Sequence, residues 1–172
     1  GKWGHLQIAG VHRLIAYEDS LTGDSRENLG WGSAFSGSFN ITKNDIFMFQ
    51  AVYGKGIARY IQDISGYGLD LVPKSPDSSL KALPVYGGYA AIQHNWTKTL
   101  NSTLVYSLTY TDDLGLKPDD AYQIGQYVAV NLFWDVLPVF TLGVEYLWGQ
   151  RENKDGAKGT ANRFDLMAQF SF

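Results

Sequence analysis

The last twelve residues of the chain, Ala161 to Phe172, alternate apolar and polar side chains and end on an aromatic residue. Successive side chains of a β-strand point to opposite faces, so this pattern predicts a strand with one apolar and one polar face. The apolar row consists of Phe164, Leu166, Ala168, Phe170 and Phe172. Because a two-faced strand must place its apolar row against something, the fold depends on which face meets water.

Composition excludes several classes of protein. The chain has 172 residues, of which 45% are hydrophobic and 18% charged, a size that suits one domain. It lacks the run of roughly 18 apolar residues that a membrane helix needs, whereas a transmembrane barrel needs none because half of each strand faces a wet lumen. A net charge of -3, with no concentration of Lys and Arg on one face, argues against a nucleic-acid partner.

Alternation predicts eight strands and no helix. The predicted strands are Leu6–Tyr17, Trp31–Ile41, Ile46–Tyr53, Val85–Trp96, Leu100–Thr111, Tyr122–Trp134, Val139–Gly149 and Asn162–Phe172. The predicted long connections are Glu18–Gly30, Gly54–Pro84, Asp112–Ala121 and Gln150–Ala161, and those between them are short. Short turns at one rim and long loops at the other are typical of outer-membrane barrels. We expect the connection from Gly54 to Pro84 to fold inward, to pack across a neighbouring subunit, or to be mobile.

Aromatic residues cluster near both ends of the predicted strands, where amphipathic rings lie at headgroup level in membrane barrels. The expected periplasmic belt is Phe39, Trp96, Trp134 and Phe172. The expected outer belt is Tyr17, Trp31, Tyr53, Tyr86, Tyr110, Tyr122 and Trp148. The alternative is that they are core aromatics of a soluble barrel.

The opposite rows are made of small residues. They include Gly32, Ala34, Ser36, Ser38, Ala91, Thr103, Ser107, Ala129, Thr141 and Gly143. An eight-stranded barrel must fill its interior with side chains, so small inward residues favour a wider barrel. We therefore predict an all-β fold, an antiparallel transmembrane β-barrel of the bacterial outer membrane, with residues 1–172 as part of a wider porin than eight strands would form. Pairing of the first predicted strand with the last would instead mean a closed barrel of eight strands.

Several segments resemble known outer-membrane proteins. The strand ending in Phe172 resembles the terminal strand that the barrel-assembly machinery recognises, so Phe164, Leu166, Phe170 and Phe172 are the candidate assembly signal. Tyr53–Ile61, Lys81–Trp96 and Leu142–Gly156 resemble the carboxy-terminal half of DcaP-like porins. The resemblance implies a sixteen-stranded homotrimer that admits small anions such as dicarboxylates. It also implies that a preceding half of the barrel is absent from this sequence.

Charged residues on the predicted lumen rows and at the loop-side rim are candidate pore residues. Arg13, Glu145, Arg163 and Asp165 lie on lumen rows, and we expect Arg163 to bridge the two acids as a wall network or a solute site. Lys55, Arg59 and Arg151 are expected at the rim, where cations raise the local concentration of anions. The alternative for the rim cations is plain solvation.

No metal, cofactor or catalytic site is predicted. His5, His12 and His94 lack metal-ligand spacing, and no nucleophile arrangement is present, so we expect no enzyme. Three acidic loop groups, Asp24 with Glu27, Asp112 with Asp113, and Asp119 with Asp120, could hold divalent cations beside lipopolysaccharide, although solvation is the simpler reading.

Three functions fit the sequence. The first is passive diffusion of small anionic solutes through a porin embedded in outer-membrane lipid. The second is a small closed membrane barrel with a structural or adhesive role. The third is a soluble carrier of the lipocalin type, which the motif Gly1-Lys2-Trp3 suggests. Such a carrier would turn its apolar rows inward around a ligand.

Overall fold

The computed structural model describes residues 3–18, 23–74 and 79–172. Gly1 and Lys2 of the carrier-like motif, and parts of the first and second long connections, lie outside the described residues. Within the described part of the chain, no helix is long and apolar enough to cross a membrane.

All eight strands predicted from alternation are present, and a short hairpin is added within the longest connection. The strands are β1 (Gly4–Glu18), β2 (Ser25–Asn40), β3 (Asp45–Lys55), β4 (Leu71–Lys74), β5 (Ser79–Ala82), β6 (Pro84–Asn95), β7 (Leu100–Thr111), β8 (Tyr122–Leu137), β9 (Phe140–Asn153) and β10 (Lys158–Phe170). Two 3₁₀ turns, Ala58–Tyr60 and Gln62–Ile64, lie between β3 and β4.

The eight long strands form one antiparallel sheet in the order β1-β2-β3-β6-β7-β8-β9-β10. Each long strand therefore pairs with its neighbours along the chain, while β4 and β5 pair only with each other. Strands β1 and β10 are the two edges, and within the described residues neither has a strand on its outer side. The eight strands do not close on themselves in this chain.

The register divides the sheet into two chemically different faces. One face carries large exposed apolar side chains, such as Leu104 at 50% and Leu166 at 79% exposure. Others in these outward rows are Leu6, Ile8, Leu14, Phe35, Ile92, Val130, Leu132, Leu142, Phe164 and Phe170. The small residues predicted to face a lumen all lie on the other, inner face, from Gly32 on β2 to Gly143 on β9. The apolar rows thus point away from the interior, which is the reverse of a lipocalin-type carrier.

The register also settles the strands whose parity was ambiguous. Val11 and Gln93 lie on the inner face, whereas His12 and His94 lie on the outer face. His94 is bound at the short-turn rim, where its Nδ1 lies 2.7 Å from Oδ1 of Asp45.

Two aromatic residues assigned to the outer belt lie on the inner face instead. The Tyr17 hydroxyl accepts a hydrogen bond from the Leu80 backbone N–H at 2.9 Å, and Tyr122 is 5% exposed beneath the long connection. A segment that folds inward provides these rings with partners, which strand parity alone does not reveal.

The remaining belt residues lie on the outer face or at its rims. At the short-turn end, Trp3 stacks on Phe39 at 5.6 Å between ring centroids. Trp134 is exposed on β8 and Trp96 lies in the turn after β6. At the opposite rim, Trp31 meets Tyr53 edge to face, Tyr86 stacks on Tyr110, and Trp148 lies on the outward row of β9. Phe172 lies beyond the end of β10 and is exposed.

The prediction of a long loop from Gln150 to Ala161 was wrong. Strand β9 continues to Asn153 and β10 begins at Lys158, so only residues 154–157 form the connection. Likewise, β2 begins at Ser25, well before the predicted Trp31. Polar residues in these hairpins pair in the ladder, and their polarity alone had suggested a loop. Among the connections between long strands, those from β3 to β6 and from β7 to β8 are the longest.

We predict that Leu104→Arg destabilises the protein far more than Met167→Arg. Leu104 lies in an outward row near the middle of β7, whereas Met167 lies on the inner face. A cation on the lipid side costs about 2–4 kcal/mol at the bilayer midplane, and an inward one remains in water. The measurement is the free energy of unfolding from phospholipid vesicles in urea. Equal losses for the two variants would contradict the assignment of faces.

Candidate functional site

Residues 57–70, here called the inward segment, fold onto the inner face of the sheet. Ile57, Ala58 and Ile64 are buried against Val85 and Tyr122, and this cluster is the main apolar core of the described chain. Of the three possibilities for the long connection, inward folding is therefore the one observed. The segment occupies part of the space next to the inner face.

Small residues of the sheet make room for the inward segment. A Cβ added at Gly32 would lie 2.6 Å from Cδ1 of Ile57, too close for any real contact. A larger residue at this position would push Ile57 out of its place, so the row of small residues accommodates a packed segment as well as water. Sequence alone had linked these residues only to lumen width.

The base of the inward segment is closed by backbone hydrogen bonds. The Gly56 N–H donates to Leu83 O at 3.0 Å, and the Leu83 N–H donates to Asp70 O at 3.1 Å. Gly56 has φ +64, a left-handed conformation that glycine adopts without steric cost, and it turns the chain from β3 toward the interior. Leu83 itself is fully buried.

Further contacts carry the segment across the sheet toward β9. Thr109 on β7 donates its hydroxyl to Asp63 Oδ2 at 3.0 Å. The ring of Tyr67 stacks on Tyr122 of β8 with centroids 5.7 Å apart. The Arg151 guanidinium of β9 lies over both rings, 5.2 Å from Tyr67 and 5.6 Å from Tyr122.

At the β1 side of the sheet, Arg13 contacts two residues of the inward segment and Gly56, which directly precedes it. Its Nη1 lies 3.0 Å from Asp70 Oδ2 and donates to Gly56 O at 3.3 Å. Its guanidinium carbon lies 5.6 Å from the ring centroid of Tyr60. The inner-row position expected for Arg13 is therefore its position in the structure, but its charge is neutralised by the segment.

Three other charges on the inner face of β9 and β10, Glu145, Arg163 and Asp165, form a second group. Glu145 lies directly opposite Asp165 in the register. Arg163 binds Asp165, with Nη2 to Oδ2 at 2.7 Å, while Glu145 accepts a hydrogen bond from Asn131 at 3.2 Å. The expectation that Arg163 bridges both acids was wrong. Arg163 forms an ion pair with Asp165, and Glu145 instead accepts a hydrogen bond from the amide of Asn131 on the neighbouring strand.

The three expected rim cations have different positions. Arg59 is exposed on the first 3₁₀ turn, and its backbone N–H donates to Asp70 Oδ1 at 3.2 Å. Arg151 lies within β9 rather than in a loop, and its Nε donates to Asn153 Oδ1 at 2.8 Å. Lys55 lies at the rim but shares the outward row with Trp31, so it does not face the interior.

Two of the recesses beside the inward segment carry hydroxyl, amide or charged groups. One of about 430 Å³ lies between Tyr67, Asp63 and Arg151, with Gly149, Gly159 and Ala161 among its lining residues. A second, of about 350 Å³, is lined by Tyr60, Gln62, Tyr89, Ser107 and Tyr127, with Asp63 again at its edge. Hydroxyl, amide and charged groups on an otherwise small-residue wall can exchange hydrogen bonds with a passing hydrated solute.

Sequence reasoning missed Asp63, Tyr67 and Asp70, which hold the inward segment in place. The only signal available was the presence of acidic and aromatic residues in a connection too long for a simple loop. Their partners lie 46 to 57 residues away in the sequence, so pairing could not be read locally.

The β7–β8 loop contains two of the three acidic groups that were considered as cation sites, whereas Asp24 and Glu27 lie at the start of β2. Asp113 and Asp119 lie 3.3 and 3.5 Å from the Lys154 ammonium, so the cation that binds these carboxylates is a lysine side chain. The Gly115 N–H donates to Asp113 and holds the pKa of that carboxyl below its usual value. Across the described residues, no three histidine or carboxylate side chains are grouped to hold a metal.

Lys117 is buried in the same loop and joins the ends of two strands. Its Nζ donates to the carbonyl and hydroxyl oxygens of Thr111 at 3.0 and 2.7 Å, and to Tyr122 O at 2.8 Å. Burial lowers the pKa of Lys117 to about 8, while Asp113 opposes that shift. The three acceptors match the three hydrogens of an ammonium.

The chain is similar to known outer-membrane proteins over nearly its whole length. Residues 6–172 match the family profile described as DcaP outer membrane protein. Among solved structures, the outer membrane channel DcaP of Acinetobacter baumannii matches 98% of this chain with a TM-score of 0.79 and 25% identity. The match covers 47% of that protein, so this chain spans about half of its length. A comparison with curated proteins finds no match.

We predict that Lys117→Met opens the β7–β8 loop while the sheet stays intact. Methionine keeps much of the apolar stem but leaves three acceptors without their donor, at about 1–3 kcal/mol for each that water does not reach. Deuterium uptake across residues 112–121 should rise. Lys98→Met, in an exposed turn at the opposite rim, is the control and should change nothing. Unchanged deuterium uptake in the Lys117→Met variant would show that Lys117 does not join the ends of β7 and β8.

Proposed function

Because the chain belongs to the DcaP outer membrane protein family, we propose that it forms part of a porin through which small hydrophilic solutes diffuse passively. The single observation that carries this proposal is the inward segment, which folds onto a face of small and polar residues while the apolar rows point outward. Such an arrangement leaves a wet passage on one side of the sheet and lipid on the other.

We further propose that these eight strands are half of a sixteen-stranded transmembrane barrel. Two observations support this, namely the two unpaired sheet edges within the described residues and the match to 47% of a related channel. An open edge of unpaired N–H and C=O groups cannot persist in hydrocarbon, so β1 and β10 each need a further strand. The same edges argue against the alternative of a closed eight-stranded barrel with a structural or adhesive role.

The proposed solutes are small anions of the dicarboxylate type. Arg151 supports this, because its guanidinium is fixed by two tyrosine rings beside a recess of about 430 Å³ on the inner face. Arg59 adds a second exposed cation on the inward segment. Fixed cations along a narrow passage raise the local concentration of anions and lower the barrier to their entry.

The proposed partners follow from the membrane setting. They are outer-membrane lipid and lipopolysaccharide around the apolar rows, the barrel-assembly machinery at the carboxy-terminal strand, and two further copies in a homotrimer. The exposed row of Phe164, Leu166 and Phe170 supports contact with lipid and with the assembly machinery.

Replacing Arg151 or Arg59 with Glu should reduce the preference for anions. Each change replaces a cation facing the passage with an anion, so the reversal potential in a salt gradient should move toward cation selectivity. The matched control is Lys55→Glu, which makes the same charge change at the same rim on the outward row. Equal shifts in all three variants, or no shift in any, would refute selection by Arg151 and Arg59.

Deleting Phe172 should lower the yield of protein assembled in the outer membrane. The residue lies beyond β10 and is fully exposed, so its loss removes from the described chain little more than its ring stacking on Phe170. Phe172→Tyr keeps an aromatic terminus and should assemble normally. Heat-modifiable migration on gels, with strand content measured by circular dichroism, separates assembly from folding. Normal assembly of the deletion variant would count against an assembly signal at this position.

A further inference from the structure

The contacts of the inward segment are distributed unevenly between its two ends. Its far end is held mainly by ring stacking and by one hydroxyl, through Tyr67, Tyr122 and Thr109. Its near end is held by the burial of Ile57, by backbone hydrogen bonds at its base, and by one charged pair, Arg13 with Asp70, whose side chains are only 15% and 21% exposed. The pair joins the edge strand β1 to the segment, across 57 residues of sequence.

We propose that the ion pair between Arg13 and Asp70 fastens the inward segment and thereby sets the width of the passage. Arg13 and Asp70 are positioning residues, because they act through the segment and not by contact with the solute. The consequence for conduction rests on the function proposed above. The fastening itself does not, since it is a property of the folded chain.

The geometry makes Asp70 the centre of this fastening. Its Oδ2 receives the Arg13 guanidinium, its Oδ1 receives the Arg59 N–H at 3.2 Å, and its backbone oxygen receives the Leu83 N–H at 3.1 Å. One residue therefore joins β1, the first 3₁₀ turn and the chain between β5 and β6. Removing its charge weakens the first two contacts at the same time.

The position of Arg13 is equally specific. It lies opposite Gly30 on the inner face, and a Cβ added at Gly30 would lie 2.9 Å from its Cγ and 2.9 Å from Gly56 O. The absence of a side chain at Gly30 thus leaves the room in which Arg13 reaches across β2 to the segment. The half-buried guanidinium keeps its direction by contact with Gly56 O and the ring of Tyr60.

The variants are Arg13→Gln and Asp70→Asn, each of which removes one charge and keeps a hydrogen-bonding side chain. Asp70→Asn lies outside the long strands, so it leaves their pairing unchanged. Arg26→Gln is the matched control, because Arg26 lies on the inner row of β2 near the same rim and makes no ion pair among the described residues.

The first measurement is trypsin cleavage after Arg59 in the intact, assembled protein, which does not depend on conduction. Arg59 is exposed but held, so loosening should raise the cleavage rate about tenfold, because cleavage follows the equilibrium of local opening. The second is single-channel conductance in planar bilayers, where release of the segment should raise the mean conductance by about half or more. Arg26→Gln should leave the cleavage rate unchanged.

A reversible crosslink tests whether the segment causes the change. The chain has no cysteine. A Cβ at Gly32 would lie 3.2 Å from Cγ2 of Ile57, which is bonded to the Ile57 Cβ. The two Cβ atoms would therefore lie within about 5 Å of each other, near the separation that a disulfide spans, so Gly32→Cys is combined with Ile57→Cys. When the two cysteines are combined with Asp70→Asn, oxidation should restore the conductance and the cleavage rate of the protein that keeps Asp70. Reduction with dithiothreitol should free the inward segment again.

Unchanged cleavage in both Arg13→Gln and Asp70→Asn would overturn the proposal. Faster cleavage with unchanged conductance would overturn its second part, because the segment would then be fastened without setting the width. A parent protein that carries no ion current would refute the porin function, and trypsin cleavage alone would then decide the role of the ion pair.

Discussion

The division of each long strand into an apolar row and a row of small or polar residues is the constraint on which the structure depends. Backbone groups in hydrocarbon must be paired within the protein, and in a sheet that pairing brings like rows side by side across every strand. The register keeps the apolar rows together from β1 to β10, so one continuous surface suits lipid. A one-residue slip of β10 would send Arg163 and Asp165 outward and turn its apolar row inward.

The inner face is not simply a polar version of the outer face. Ile57 and Ile64 of the inward segment pack against Val85 and Tyr122, so part of the inner face forms a dry core while the rest meets water. The segment contacts strands from β1, through Arg13, to β9, through Arg151, whereas Glu145, Arg163 and Asp165 of β9 and β10 pair with residues of the sheet.

Sequence predicted the long strands well because alternation is a local property. It predicted β7 from Leu100 to Thr111 with the observed bounds, and it placed the small inner rows from Gly32 to Gly143 on the correct face. It failed where polarity alone was used, since the polar residues around Gln150 pair in a hairpin. It failed again for Tyr17 and Tyr122, whose partners come from a segment distant in sequence. Side-chain pairing across the interior, such as Arg13 with Asp70, leaves no local pattern at all.

Charge neutralisation inside the passage explains why cations placed on the same face have different roles. Arg13 is compensated by Asp70, and Arg163 by Asp165, so neither presents an unopposed charge. Arg151 instead lies over two aromatic rings and donates to Asn153 Oδ1 and to the backbone oxygen of Asp120, and it forms no ion pair among the described residues. A fixed, uncompensated guanidinium attracts an anion more strongly than an ion-paired one, because the field of an ion pair falls off faster with distance.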